Sequence, residues 1–272
     1  MRDQLRALAD HYLAYLEVFD TIDLAAPHAD YRWGHLPSEL SGTWLAYREM
    51  FDEFSREIAN TINQLINKEQ RLGGWEKVVV NLDEDAFNNV LFEFIEPIAT
   101  LALNLPAVIR ERVIFASAHL MHQANRALDH AVWNDDLPAD HSIKANNLEH
   151  YGSNWGATPK LISELNLLAT QDDYKAATGN FRNRYHHRFP AHVGLGFTGG
   201  ATRHVNPTTK RASYAIGDGE PLSLKDIRQF LHVQIGYAHN VYNAFKTLIR
   251  EQETMIIRWE SEHGIVIERA EG

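Results

Sequence analysis

The sequence predicts an all-α fold, a helical bundle with a small β-hairpin insertion before the last long helix. Three observations favour this fold class. Apolar residues recur every three or four positions along most of the chain, as they do in amphipathic helices. Only the stretch from 191 to 221 changes to short segments bounded by turn residues, which is typical of strands. With 272 residues, 44% of them hydrophobic, the chain can bury a substantial core.

Apolar spacing and terminal signals place the helices. They are predicted at about 1–20, 38–72, 83–103 and 106–132, from Thr158, from Gln171 to Pro190, and from Ser223 to Glu260. Gly73 and Gly74 are expected to end the second helix, because glycine is common just past a helix terminus. Pro97 is expected to kink the third helix, and Pro106 to open the fourth. Gly179 is a candidate break in the helix that follows Gln171.

Short stretches of the sequence predict the hairpin and the start of the last helix. The segments "ATRHV" and "RASYAI", separated by "NPTT", predict two short strands around a turn. Ser223, with Asp226 three residues later, predicts a capped start of the last helix. We expect one domain over 1–272, with an N-terminal helical part at 1–105 and a bundle at 106–260. The sequence does not fix this boundary.

Composition excludes several classes of chemistry. The chain has no cysteine, which rules out disulfides, zinc thiolate sites and a cysteine nucleophile. No run of about 18 apolar residues predicts a membrane span. The first 20 residues scatter four acidic side chains through their hydrophobic positions, unlike a signal peptide. We therefore expect a cytoplasmic protein with no membrane partner.

The charge is unevenly distributed along the chain. Its formal net charge is −10, yet the segment from 174 to 217 holds seven basic residues and no Asp or Glu. The rest of the chain carries 19 basic and 36 acidic residues. This asymmetry predicts a basic surface on an acidic body, suited to a polyanion such as RNA. The candidate RNA-binding residues in this segment are Arg184, Tyr185, Arg188, Arg203, Lys210 and Arg211.

At the centre of this segment lies "GNFRNRYHHRFP", residues 179–190. Arg182 is followed by Asn183, and His187 comes after four intervening residues, giving R-N-x-x-H-H. This pattern resembles the R-x4-H signature of the HEPN superfamily, many of whose members look like metal-independent ribonucleases or their inactive relatives. The setting is similar too, because the motif lies late in an all-α bundle with a long helix after it. The resemblance implies an endoribonuclease, with roles such as a toxin or an antiviral-defence effector.

The residue types suit phosphodiester cleavage without a cofactor or a metal. RNA carries its own nucleophile, the 2′-hydroxyl, so the protein has to move protons and stabilise charge on the phosphate oxygens. A histidine can act as the general acid or base, and an arginine offers permanently charged donors to the phosphate. His187 is accordingly the acid/base candidate and Arg182 the phosphate clamp, with Asn183 orienting either one. His186 is an alternative to His187.

Helix geometry raises a difficulty for this pair. Residues five apart on an ideal helix diverge by about 140°, whereas residues four apart diverge by about 40°. Arg182 therefore shares a face with His186 more closely than with His187. The resemblance to HEPN ribonucleases implies a solution, because those proteins look like dimers that bring two motifs together in one cleft. We expect a homodimer with a composite active site, and the choice between the two histidines stays open.

Other interpretations compete with the ribonuclease. A catalytically inactive module would bind RNA, a nucleotide or a partner protein such as an antitoxin or another defence-system component. In a purely structural alternative, the arginines of the basic helix end pair with acidic neighbours. A metal-dependent enzyme would use His119 and His122, which are three residues apart on the fourth helix. We expect these histidines, with Arg126, Asp129 and His130, to form a solvated or subunit-facing stripe.

Overall fold

The computed structural model describes residues 2–170, 172–196, 201–216 and 220–263. Its helices are α1 (Arg2–Phe19), α2 (Leu45–Val79), α3 (Glu84–Val90), α4 (Glu96–Ala124), α5 (Ala145–Tyr151), α6 (Thr158–Leu165), α7 (Asp172–Ala177), α8 (Phe181–His187) and α9 (Leu224–His263). An antiparallel hairpin of β1 (Ala201–Val205) and β2 (Ala212–Ile216) precedes α9. The predicted all-α bundle with a hairpin before the last long helix is confirmed.

The chain forms two compact units, and neither is continuous in sequence. The first comprises Met1–Pro27, Gln64–Ala107 and Ala169–Ile235, and the second His28–Asn63, Val108–Leu168 and Gly236–Gly272. The motif and the hairpin belong to the first unit. The second unit holds both histidines of the metal hypothesis. The sequence boundary near residue 105 stays a prediction.

The core of the first unit is built on stacked aromatic rings. Trp75 of α2 lies between Tyr15 of α1 and Phe94, with ring centroids 4.5 Å and 5.0 Å away. Tyr15 and Trp75 are both buried. Offset stacking adds to the free energy gained from burying the large rings, so these contacts hold α1 against α2.

The predicted end of the second helix at Gly73 and Gly74 is wrong, because α2 continues to Val79. The two glycines serve a close approach of neighbouring side chains instead. A Cβ atom at Gly74 would lie 2.7 Å from Cε2 of Tyr15, and one at Gly73 would lie 2.9 Å from Cγ2 of Ile22. The absence of side chains at these positions is what lets α1 and the chain after it pack directly on α2.

The third and fourth predicted helices are one continuous helical stretch, so Pro106 does not open a new helix. A π-helical turn over Leu91–Ile95 joins α3 to α4, and Pro106 lies inside α4. An internal proline removes one hydrogen bond and costs about 3 kcal/mol. Burial of Leu105 and Ile109 beside it offsets that cost. The predicted extension to Val132 is also wrong, since α4 ends at Ala124.

This joined helix, Glu84–Ala127, is long and apolar enough to cross a membrane by length and composition. In its most apolar 18-residue window, 44% of the residues are buried within the structure. Buried core helices of water-soluble proteins meet the same criteria, so the helix is weak support for a membrane span.

The second unit is organised around Trp33, in the segment before α2. The indole ring meets Phe51, Tyr242 and Phe245 edge-on, with centroids 5.1 to 6.0 Å apart. Its Nε1 donates a hydrogen bond to the Tyr242 hydroxyl at 2.7 Å. These contacts fix the segment before α2 against α2 and α9.

Two glycines inside helices provide a matched pair of substitutions. Alanine is favoured over glycine in a helix by about 1 kcal/mol. At Gly236 of α9 nothing lies within 4 Å of an added Cβ, so Gly236→Ala should stabilise the protein by about 0.5–1 kcal/mol.

At Gly74 the Cβ would clash with the buried Tyr15 ring, and overpacking costs about 1–3 kcal/mol. We expect Gly74→Ala to lower the free energy of unfolding, measured in urea, by about 1 kcal/mol. Equal stabilisation by both substitutions would contradict this packing account.

Candidate functional site

The motif helix α8 is separated from α7 by a change of chain direction. Gly179 and Asn180 both adopt the left-handed conformation, with φ of +58° and +55°. Glycine adopts it without a steric cost, and asparagine tolerates it better than most residues. Two such residues in succession stop α7, so the candidate break at Gly179 is confirmed.

Only the first residue of α8 is buried. Phe181 is 2% exposed, and its ring stacks on that of Tyr185 with centroids 5.9 Å apart. Arg182, Asn183 and both histidines of the motif are exposed. The helix is therefore held by Phe181, while its polar side chains remain available to a ligand.

A pocket of about 710 Å³ lies along α8, within the first unit. One side consists of residues from α4 and α7 with Ala169 and Thr178. The other side consists of motif residues between Asn180 and His187. The residues that line it are Leu103, Ala107, Ala169, Tyr174, Lys175, Thr178, Asn180, Phe181, Arg182, Asn183, His186 and His187. All four predicted catalytic residues thus border one pocket.

The two histidines remain alternatives in the folded chain. His186 lies one turn after Arg182, on the same helix face. His187 is the last residue of α8, and the chain leaves the helix at Arg188 with φ −152° and ψ −147°. The two imidazole centroids are 6.4 Å apart, and both rings reach the pocket. Both histidines line the pocket, so its geometry does not choose between them.

Two hydroxyls in the pocket are used to hold its wall. Tyr174 donates to the carbonyl oxygen of Leu103 at 3.1 Å, and Thr178 donates to the carbonyl oxygen of Tyr174 at 2.8 Å. Burial raises the pKa of Tyr174, so the phenol stays neutral at physiological pH. Sequence reasoning missed both residues, although their four-residue spacing on one helix face was a usable signal.

The arginines of the motif are not neutralised by the side chains that the structure describes. Among those side chains, no carboxylate forms an ion pair with Arg182, Arg184 or Arg188. Arg184 donates through Nε to the carbonyl oxygen of Phe189 at 2.8 Å, which closes the C-terminal end of α8. The structural alternative, in which the arginines pair with acidic neighbours, therefore gains no support.

The predicted RNA-binding residues divide into two groups. Arg184, Tyr185 and Arg188 lie on or just after α8 but do not line the pocket. Arg203 is on β1, and Lys210 and Arg211 lie in the turn before β2. All three hairpin residues are exposed. The structure thus places them on the same unit as the pocket, outside its lining.

In that turn, Asn206 organises the backbone. Its side-chain oxygen accepts hydrogen bonds from the backbone N–H groups of Thr208 and Thr209, both at 2.9 Å. Lys210 follows with φ +57°. The turn is built by its own polar groups, which leaves the basic side chains exposed.

The His119 and His122 stripe in the second unit differs from the expectation. His122 is 2% exposed, so its prediction as a surface residue is wrong. Its Nε2 lies 3.0 Å from Oδ1 of Asp135, and Nδ1 lies 3.6 Å from Oδ1 of Asp136. Trp133 covers the ring and donates to the His122 carbonyl oxygen at 2.8 Å. The loop after α4 folds back over this histidine and removes it from solvent.

His119 is also partly enclosed. It packs on Phe115 with centroids 4.4 Å apart, and its Nε2 lies 3.5 Å from Oδ1 of Asp140. Burial lowers its pKa. Within the described ranges, no group of three or more His, Asp or Glu side chains is arranged to hold a metal ion. The metal-enzyme hypothesis therefore gains no support from these histidines.

Comparison with protein-family models, with curated proteins and with solved structures finds no significant match. The functional interpretation of this chain consequently depends on the motif and on the pocket that it lines.

Proposed function

We propose that this chain is a metal-independent endoribonuclease of the HEPN type, and that the pocket along α8 is its active site. The observation that carries the proposal is that Arg182, Asn183, His186 and His187 line one pocket. Their charge and chemistry match what RNA cleavage needs, and the surrounding segment is basic and free of acidic residues. The family assignment is part of the proposal and derives from the R-x4-H resemblance.

In the proposed reaction a motif histidine removes the proton from a ribose 2′-hydroxyl. The 2′-oxygen attacks the adjacent phosphorus, and the bond from phosphorus to the 5′-oxygen breaks. A protonated imidazole supplies the proton to the leaving 5′-oxygen. The products are a 2′,3′-cyclic phosphate and a 5′-hydroxyl. Arg182 binds the phosphate oxygens as negative charge accumulates on them, and Asn183 orients either partner.

One chain supplies an incomplete site in this proposal. Cleavage needs a proton acceptor and a proton donor at the same time, together with a cation at the phosphate. Arg182 and His187 are five residues apart and diverge by about 140° on an ideal helix, so a single helix does not bring the phosphate clamp and this acid/base candidate together. A homodimer that brings two copies of the motif into one cleft would provide two arginines and a full set of histidines.

The proposed place of action is the cytoplasm. A ribonuclease in that compartment has to be restrained. An antitoxin or a defence-system partner protein would serve as its regulator.

The alternative function is binding without cleavage. Arg182 is exposed beside the pocket and forms no ion pair with a described side chain. This favours the binding function as well, because a phosphate contact does not need an acid or a base. In this alternative the chain binds RNA, a nucleotide or a protein partner through the same surface. The two functions differ in whether the histidines are needed for chemistry.

Cleavage of mixed RNA in excess EDTA tests the proposed function. We expect the wild-type chain to cut RNA, and Arg182→Ala and His187→Ala each to reduce the rate at least about a hundredfold, because they remove the phosphate clamp and a proton-transfer group. His186→Ala measures how much the second imidazole contributes to the cleavage rate. Arg6→Ala and His232→Ala are matched controls, since both residues are exposed and lie outside the pocket lining.

Full activity in both Arg182→Ala and His187→Ala, with folding verified by circular dichroism, would rule out this active site. RNA binding that weakens as salt rises, is lost in Arg182→Ala and is never accompanied by cleavage would favour the binding function over the enzyme.

Mixing two inactive variants tests the composite site. Arg182→Ala dimers keep the histidines, and His187→Ala dimers keep the arginines. Heterodimers formed by unfolding and refolding the mixture would hold one Arg182 and one His187 in the shared cleft. We expect cleavage well above the sum of the two parents, measured in EDTA. A mixture no more active than its parents, or a chain that sediments as a monomer while cutting RNA, contradicts the composite site.

A further inference from the structure

A second pocket lies in the other unit, formed by the segment before α2 and by the first half of α2. Its volume is about 860 Å³, within the range of about 300–1,000 Å³ that is usual for small-molecule sites. Six consecutive residues, 31–36, form one wall. The other wall is a face of α2 on which lining residues recur at helical spacing between Arg48 and Asn60. None of the residues that border it belongs to the motif.

Hydrogen bonds to α9 hold the first wall in place. Tyr242 receives the indole hydrogen bond of Trp33, and its own hydroxyl donates to the carbonyl oxygen of Asp30 at 2.7 Å. The backbone N–H of His35 donates to Oε1 of Glu253 at 2.8 Å. Binding to a wall held in this way does not require that it be ordered first, which lowers the entropic cost of association.

Glycine at position 34 is required by the close approach of the two walls. A Cβ atom there would lie 2.5 Å from Cε1 of Phe51, a buried ring on α2. The wall therefore rests directly on α2 at this point.

The pocket carries a positive charge inside an acidic chain. Arg32, Arg48 and Arg56 line it, against one carboxylate, that of Asp52. Within the described ranges none of these arginines forms an ion pair. Nη1 of Arg48 donates a hydrogen bond to the carbonyl oxygen of Ser38 at 2.5 Å. Arg32 and Arg56 are exposed. Two or three guanidinium groups around one cavity favour an anion with several acceptor oxygens, such as a phosphate.

An aromatic surface stands beside these arginines. Tyr31 is 51% exposed, which leaves much of its ring accessible. Its hydroxyl accepts a hydrogen bond from Nδ2 of Asn63 at 3.0 Å, and this anchors the ring in place. Asn63 is itself fixed, because its Oδ1 accepts from the backbone N–H of Ala29 at 2.7 Å. An anchored, exposed ring is a stacking surface for a planar group.

We propose that this pocket binds a small anionic ligand of the mononucleotide class, with its phosphate on Arg32, Arg48 and Arg56 and its planar ring against Tyr31. Ser55, a buried residue of α2, also lines the pocket and adds a hydroxyl to it. The proposed ligand carries both a phosphate and a planar ring, because the arginines and Tyr31 line the same pocket. It is independent of the ribonuclease proposal, because the two pockets share no residue.

Isothermal titration of the full chain with AMP, GMP, CMP and UMP tests the site. We expect at least one nucleotide to bind with a Kd below about 1 mM. The matching nucleoside and inorganic phosphate, each carrying half of the recognised chemistry, should bind at least about tenfold more weakly. Arg32→Gln combined with Arg56→Gln should weaken nucleotide binding at least about tenfold, and Tyr31→Leu should weaken it while Tyr31→Phe retains most of it.

Arg6→Gln, at an exposed arginine of α1, is the matched control and should bind like the wild type. Thermal unfolding of every variant verifies the fold. Failure of all four nucleotides to bind would overturn the proposal. So would binding that is lost in Arg182→Ala and kept in the double arginine variant, because the nucleotide would then occupy the pocket along α8.

Discussion

The change of chain direction at Gly179 and Asn180 is the constraint on which the candidate site depends. Without two left-handed residues in succession, α7 would continue and the motif would not begin a separate helix. With them, Phe181 enters the core immediately after the turn. A helix held by its first residue exposes the rest of its length, so Arg182 and His186 border a pocket and are not packed in the core.

The helices were predictable because apolar periodicity is a local property of the sequence. Their ends and joins were not, because tertiary contacts decide them. Gly74 resembles a helix terminus, but Tyr15 of another helix needs the space that glycine leaves. Pro106 resembles a helix start, yet burial of its apolar neighbours keeps the helix continuous through it. The local preferences are about 1 kcal/mol against glycine and about 3 kcal/mol against proline inside a helix, and burial of several neighbouring side chains outweighs each of them.

The candidate site, like the fold, could be predicted only in part from the sequence. Residue type and spacing were enough to name Arg182 and His187 as candidates, because RNA cleavage needs a cation and a proton-transfer group. Both residues line one pocket, and their catalytic role stays a prediction. The spacing of residues along a helix did not show which polar side chains are buried. His122 has the helical position of a surface residue, and only the return of Trp133 and Asp135 over it makes it a buried one. The charge asymmetry was informative because the acid-free segment supplies both the motif and the exposed hairpin turn.

The proposed chemistry uses the substrate's own 2′-hydroxyl as the nucleophile, and this requirement can be examined with two oligonucleotides of identical base sequence. One is RNA throughout, and the other carries 2′-deoxyribose at every position. In excess EDTA, we expect the chain to cut only the RNA, leaving fragments with a 2′,3′-cyclic phosphate and a 5′-hydroxyl. Equal cutting of both oligonucleotides, or RNA fragments that carry a 5′-phosphate, would contradict it.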